Sequence, residues 1–202
     1  AGLSFPEAVR SNALGIDLGS IHPELAGTEP GDWLAAPGQS IIARHTVGLG
    51  DPLRAGEIPE EERIDDGLPH ALRDAADQYG LTHFKIKICG NLEVDVPRLR
   101  DVAAVISEAS PGFRYTLDGN EQYRDIATFR DHWETYRADP ELAILFEDNR
   151  LLFVEQPLHR DVALGEGVRD ELAAWVEAPP MIIGESDGEL DCMRQAIALG
   201  YR

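Results

Sequence analysis

Residues 83–91, HFKIKICGN, form a predicted β-strand with two different faces, and whether this strand is parallel or antiparallel to its neighbours decides the fold class. Side chains alternate along a strand, so Lys85 and Lys87 point to the same face. An antiparallel strand with one solvated side would explain this pattern. For an isolated pair of lysines this is the simpler explanation. A parallel strand whose lysines reach a functional site is the alternative, and the rest of the chain decides between the two. The opposite, apolar face carries Phe84, Ile86 and Ile88.

Strand-like stretches of this kind recur along the chain and alternate with helical patterns. They are IIARHTVGL from Ile41, HFKIKIC, FRYTLDGN, LLFVEQP and MIIGESD. Strands separated by about 30 residues, with a helix in each interval, are typical of an α/β protein with a parallel sheet. A doubly wound sheet and a (β/α)8 barrel both fit this order. No GxGxxG or Walker sequence is present, which argues against a nucleotide-binding Rossmann fold.

Five helical segments carry apolar stripes with the spacing of one helix face. The stripes predict which side chains are buried against the sheet. They are Leu72, Ala75, Ala76 and Tyr79; Leu99, Val102, Ala103 and Ile106; Ile126, Phe129, Trp133 and Tyr136; Val168, Leu172 and Trp175; and Leu190, Met193 and Ile197.

The chain divides into two parts by pattern. Residues 1–40 are rich in Gly and Pro, and we predict a connecting segment that is mostly loop, with one short helix near residues 6–13. Residues 41–202 carry the strand and helix alternation and form the predicted barrel domain.

Composition limits the function classes. The 202 residues include 37 acidic and 18 basic side chains, a formal charge of -19, which disfavours nucleic acid and anionic membranes as partners. The sequence has no long apolar run and no signal-peptide pattern, so we expect a cytoplasmic protein. Cys89 and Cys192 form neither a disulfide framework nor a metal-binding spacing, and we expect reduced core residues.

Carboxylates stand where three successive strands end. Asp118 lies in LDGNE, Glu155 in VEQP and Glu185 in GESD. Taken singly, these segments are typical of a turn, a strand-ending loop and a helix N-cap. Taken together they predict a site, because charges next to buried strand residues need compensation and a hard divalent cation provides it. Three carboxylates without His or Cys favour Mg²⁺ over Zn²⁺.

The two lysines point to the same end of the sheet. Lys85 and Lys87 belong to the preceding strand, and barrel enzymes keep their chemistry at the carboxyl ends of the strands. A divalent cation and a second ammonium group lower a lysine's pKa enough for it to act as a base. We expect Lys87 to be that base, since it lies nearer the strand end.

The set KIK, DGN, VEQP and GES resembles the enolase superfamily, in its mandelate racemase and muconate lactonizing enzyme branch, over about residues 41–202. The resemblance implies a TIM-type barrel that is incomplete here, with about five βα units. It implies that Lys87 is the base, that Lys85 stabilises the substrate carboxylate or enolate, and that Asn120 supports the lysines or the metal by hydrogen bonding. The implied Mg²⁺ ligands are Asp118, Glu155 and Glu185.

The implied reaction removes the proton α to a carboxylate, and the metal stabilises the enolate. Racemisation, epimerisation or dehydration of a small carboxylic acid of the acid-sugar or hydroxy-acid type would follow, in a homo-oligomer. Family members also carry an N-terminal capping domain and three further strands, for which this sequence has no counterpart, so we expect a partial chain. The alternative is a truncated, non-catalytic barrel that binds a metal or a metabolite. A phosphatase or an aldolase fits less well, because no phosphate-binding glycine loop accompanies the acids.

Overall fold

A computed structural model describes residues 2–36, 38 and 40–202 of the chain. The chain forms two compact units, one up to Ile41 and one from Ile42 to Arg202.

The N-terminal unit contains more helix than its sequence predicts. Helix α1, Phe5–Arg10, starts at a capping box in which the side chains and backbone of Ser4 and Glu7 satisfy each other, and Glu29 and Asp32 do the same for helix α3, Pro30–Trp33. Pro30 at the first position of α3 is preformed for a helix. These are short local signals that a search for apolar periodicity misses. The described helices of this unit are α1 Phe5–Arg10, α2 Leu18–Ile21 and α3 Pro30–Trp33.

The second unit is built on one sheet of five parallel strands, whose order in space is their order in the sequence. This confirms the parallel interpretation of HFKIKIC, and the antiparallel alternative is wrong. Each strand pairs with the next one in sequence, as in a barrel, whereas a doubly wound sheet reverses its order near the middle. The strands are β1 Arg44–Val47, β2 His83–Lys87, β3 Arg114–Asp118, β4 Leu151–Glu155 and β5 Met181–Ile182.

Helices follow the strands, and their apolar side chains pack with those of the strands in one core. The stripe from Leu99 to Ile106 in α5, Leu92–Ala109, is buried as predicted. So is the stripe from Ile126 to Tyr136 in α6, Ile126–Ala138. After α6 the chain continues in a 3-10 helix, Pro140–Phe146, which accounts for the extra length before β4. The helices of the second unit are α4 Leu72–Tyr79, α5 Leu92–Ala109, α6 Ile126–Ala138, α7 Arg160–Ala163, α8 Gly167–Ala174 and α9 Cys192–Leu199.

The predicted stripe of α9 is wrong. Leu190, Met193 and Ile197 are 78%, 53% and 66% exposed. The helix instead buries Cys192 and Ala196. Two faces of this segment are apolar, and the small side chains are the ones packed inward.

Candidate active site

The register of the parallel strands brings three of the predicted site residues side by side. Lys87 lies opposite Asp118, and Asp118 lies opposite Glu155. Lys85, two residues before Lys87, points to the same face of the sheet as these residues. The Lys85 Nζ atom is 2.8 Å from Asp118 Oδ2 and 2.8 Å from Glu155 Oε1. The two carboxylates therefore converge on one point, which the ammonium group of Lys85 occupies.

Lys85 is held as a cation. Burial by itself lowers the pKa of Lys85, but the hydrogen bonds and charges of Asp118 and Glu155 outweigh burial and raise the pKa above its usual value. Lys85 is therefore not a lysine of lowered pKa. It is suited to hold an anionic group and not to accept a proton from carbon.

Lys87 has a different environment at the end of the same strand. Its side chain is 35% exposed, and its Nζ lies 4.0 Å from Asp118 Oδ2. It donates a hydrogen bond of 2.8 Å to Asn120 Oδ1. The Asn120 backbone N–H in turn donates to Asp118 Oδ1 at 3.0 Å. Asn120 thus links the lysine to the carboxylate through two hydrogen bonds. Its supporting role at a metal site, which the resemblance implies, stays a prediction.

Asn120 also carries a buried polar atom without a partner. Its Nδ2 is inaccessible and makes no hydrogen bond among the described residues. Its backbone is in the left-handed region, with φ +46°, and so is that of Glu121, with φ +63°. Non-glycine residues adopt this conformation at a cost of about 1–3 kcal/mol when the surrounding structure enforces it.

Glu155 has a second cationic partner that the sequence did not indicate. Arg44, at the start of β1, places its guanidinium 3.5 Å from Glu155 Oε2. The same group donates to Thr116 Oγ1 at 3.1 Å and lies 5.5 Å from the centroid of the Phe153 ring. Arg44 and Thr116 are 72 positions apart, so only the sheet brings them together.

Glu185 stands apart from this pair of carboxylates. Strand β5 ends at Ile182, and Glu185 lies beyond the strand end with an exposed side chain. The preceding backbone is nevertheless close to the site, because a Cβ on Gly184 would be 3.4 Å from Glu155 Oε1. Within residues 2–36, 38 and 40–202, no group of three or more His, Cys, Asp and Glu side chains is gathered as a metal site. The assignment of Glu185 as a ligand stays a prediction.

The donors that do converge fit a hard cation. Asp118 and Glu155 present carboxylate oxygens to the same point. One cationic atom, Lys85 Nζ, lies between the two carboxylates and contacts both. Oxygen donors of this kind are those that Mg²⁺ prefers. The donor chemistry thus agrees with the predicted metal, while Lys85 and Arg44 supply the positive charge in this structure.

The sequence pattern does not single out Gln156, although it stands inside the VEQP motif. It is 1% exposed and has a positive φ of 37°. Its Nε2 donates to Leu158 O and to Ser186 Oγ, both at 2.7 Å. Its Oε1 accepts from the N–H groups of Gly184 and Ser186 at 2.7 and 3.2 Å. Gln156 therefore joins the loop after β4 to the loop after β5.

A second contact that the sequence does not indicate joins the loops after β3 and β4. The Arg160 guanidinium forms two hydrogen bonds of 2.7 Å with the two oxygens of Glu121. These bonds lower the pKa of Glu121 to about 2. The geometry is the bidentate pairing that gives arginine its directional strength. The sequence offers one weak signal for this pair: a carboxylate directly follows DGN, and an arginine follows VEQP.

Comparison with solved structures agrees with this architecture. A mandelate racemase/muconate lactonizing protein from Herpetosiphon aurantiacus matches with TM-score 0.53 and 20% identity over 79% of this chain. A dipeptide epimerase from Enterococcus faecalis V583 matches with TM-score 0.53 and 17% identity, also over 79%. This chain spans 37% of the length of each of them. No protein-family model and no curated protein matches the sequence.

These likenesses confirm the fold that the motifs predicted. The second unit carries five parallel strands in sequential order, as in an incomplete TIM-type barrel. At 17% and 20% identity the likeness defines the fold and leaves the reaction to be argued from the site. In the part of the chain that the structure describes, no helix has the length and apolar character needed to cross a bilayer.

Proposed function

We propose that this chain carries the metal-binding and proton-transfer half of an enolase-superfamily active site, which removes the proton α to a carboxylate. The observation that supports the proposal most is the meeting of Lys85 Nζ with Asp118 Oδ2 and Glu155 Oε1, each at 2.8 Å. Three side chains from three strands meet at the strand ends, where barrel enzymes place their catalytic groups.

The two lysines have separate roles in this proposal. Lys85, whose pKa is raised, remains an ammonium group and stabilises the carboxylate of the substrate or the negative charge of the enolate. Lys87 is more exposed and its described hydrogen bond is to a neutral amide oxygen, so it is the better placed base. A lysine accepts a proton only as the neutral amine, and Asn120 Oδ1 fixes the position of its nitrogen.

Mg²⁺ would be held by Asp118, Glu155 and Glu185. When bound, it would supply positive charge for the oxygens of the substrate acid. Asp118 and Glu155 already present converging oxygens, and the backbone before Glu185 lies against Glu155. The proposed substrate is a small hydroxy acid or acid sugar, with racemisation, epimerisation or dehydration as the outcome, and the proposed assembly is a homo-oligomer.

Two measurements test the proposal. Calorimetric titration of Mg²⁺ into the wild-type chain should show binding, and Asp118→Asn should abolish most of it. The second measurement uses a hydroxy acid that the chain turns over, in D₂O containing Mg²⁺. The NMR signal of its α-proton should decline in the presence of the wild-type chain and persist in the presence of Lys87→Ala. Lys87→Ala should retain Mg²⁺ binding. Full exchange with Lys87→Ala would remove this residue from the role of base.

A binding module is the second candidate function. Lys85 and Arg44 neutralise both converging carboxylates, as in an ionic cluster that stabilises a fold. Mg²⁺ binding without α-proton exchange for any acid tested would favour the module. The absence of Mg²⁺ binding would contradict the metal-assisted reaction.

A further inference from the structure

The amide of Gln156 lies at the junction of three loops that follow neighbouring strands. Its backbone N–H donates to Ile182 O in β5, and its backbone carbonyl accepts from Glu121 N–H in the loop after β3, both at 2.9 Å. Its side chain makes four hydrogen bonds, three of them to Gly184 and Ser186. The residues on either side of Glu185 are thus both bound to one side chain.

The hydrogen-bonding groups of the Gln156 side chain are all satisfied within the protein. The carbonyl oxygen accepts two N–H groups and the amide nitrogen donates to two oxygens, so each of its hydrogen-bonding positions has a partner. At 1% exposure, water cannot replace these bonds at low cost. The left-handed backbone of Gln156 is held in place by the same contacts.

We infer that Gln156 is a positioning residue, which fixes the loop carrying Glu185 against the carboxylate of Glu155. The claim that this positioning serves metal binding rests on the proposed function. Whether Gln156 fixes the loop can be measured without any metal. Glu155 directly precedes Gln156 in the chain. The same backbone segment therefore positions the carboxylate of Glu155 and, through the side-chain amide of Gln156, that of Glu185. Residues that orient metal ligands commonly control metal affinity by about 10- to 100-fold.

Gln156→Leu tests the inference, because leucine has a similar size and makes no hydrogen bond. Tyr201→Phe is the matched control, since it removes a buried hydrogen bond, from Tyr201 to Ala163 O, that involves none of residues 184–186. Two readouts are measured on the full 202-residue chain. One is the affinity for Mg²⁺ by calorimetry, and the other is hydrogen–deuterium exchange of the Gly184 and Ser186 amides.

The expected result has two parts. Gln156→Leu weakens Mg²⁺ binding by about 10- to 100-fold, whereas Tyr201→Phe leaves it unchanged. The Gly184 and Ser186 amides exchange about tenfold faster in Gln156→Leu, because each loses its acceptor. Gln156→Glu keeps an acceptor oxygen, and it should restore much of the protection of these two amides.

The outcomes separate the two proposals. If wild type binds Mg²⁺ and Gln156→Leu binds it equally well, the positioning role is overturned while the proposed function stands. If wild type binds no Mg²⁺, the proposed function fails and the exchange measurement still decides the role of Gln156. Faster exchange confined to the loop at 184–186 supports positioning, whereas unchanged exchange or uniform acceleration over the whole chain overturns it.

Discussion

Asp118 and Lys85 form a largely buried ion pair between adjacent strands, with 2.8 Å between Oδ2 and Nζ and only 2% of the Asp118 side chain exposed. Removing one member of such a pair leaves the other charge without full compensation. The pair therefore couples the proposed site to the stability of the sheet.

We predict that Asp118→Asn lowers the free energy of unfolding by about 3 kcal/mol, since Lys85 then keeps only Glu155 as an acidic partner. Urea unfolding followed by circular dichroism measures the change. Asp161→Asn is the control, because Asp161 pairs with Arg124 at the surface, where both side chains are about two-thirds exposed. It should change stability by less than about 1 kcal/mol. Equal losses in both variants would contradict the special role of the buried pair.

The pairing of Glu121 with Arg160 predicts a pH dependence of stability. The pKa of Glu121 is lowered from 4.5 to about 2, so its contribution is fully present above pH 4.5 and is lost as the pH falls towards 2. The difference in thermal midpoint between wild type and Glu121→Gln should therefore be constant from pH 7 to about pH 5 and shrink below that.

The same comparison in an Arg160→Met variant tests whether Arg160 causes this pH dependence of stability. In Arg160→Met the carboxylate has lost the guanidinium that lowers its pKa, so adding Glu121→Gln should produce a much smaller difference in thermal midpoint at pH 7. A pH-dependent difference of the same size in both backgrounds would show that Arg160 is not responsible.

Arg44 should oppose cation binding at the predicted site. Its guanidinium is 3.5 Å from Glu155 Oε2, and a positive charge so close weakens the attraction of this carboxylate for Mg²⁺. Arg44→Met is therefore expected to tighten Mg²⁺ binding by about threefold or more in calorimetry at low salt. Arg114→Met removes the same charge at the start of β3, the end away from Asp118, and should have little effect on Mg²⁺ binding. Weaker binding in Arg44→Met would mean that Arg44 orients Glu155 instead.

Gly119, the middle residue of DGN, is required by a close approach of two loops. A Cβ at this position would be 2.5 Å from the backbone Cα of Pro157, which cannot rotate away. Gly119→Ala should lower the free energy of unfolding by about 1–3 kcal/mol and move Asn120 relative to Lys87. Gly112→Ala is the control, since nothing lies within 4 Å of its Cβ position. Similar stability for the two variants in urea unfolding would contradict the close approach.

The sequence predicted the sheet well because its signals are local. Alternating side chains marked the strands, and helical stripes such as Phe129 and Trp133 marked the covering helices. Parallel pairing followed from the helix between each pair of strands. From there, the meeting of Asp118 with Glu155 followed from their places at neighbouring strand ends.

Other features could not be predicted because they depend on residues far apart in sequence. Leu190, Met193 and Ile197 form a regular stripe, yet the small face of Cys192 and Ala196 is the one buried. A pattern of apolar residues shows that a face can be buried and does not show which of two apolar faces meets a neighbour. The strand β5 likewise ends at Ile182, earlier than GES suggested, so the place of Glu185 is set by loop contacts.

The sequence alone determined the class of fold and the residue types available for chemistry: a parallel α/β unit in which two neighbouring strands end in carboxylates and the second strand carries two lysines. The tertiary structure decided which groups meet. It paired Lys85 with both converging acids, added Arg44 from the edge strand, and bound the Glu185 loop to Gln156. The physical reason is that alternation and periodicity are short-range properties of the chain, whereas hydrogen bonds and ion pairs depend on distances that only the packed sheet fixes.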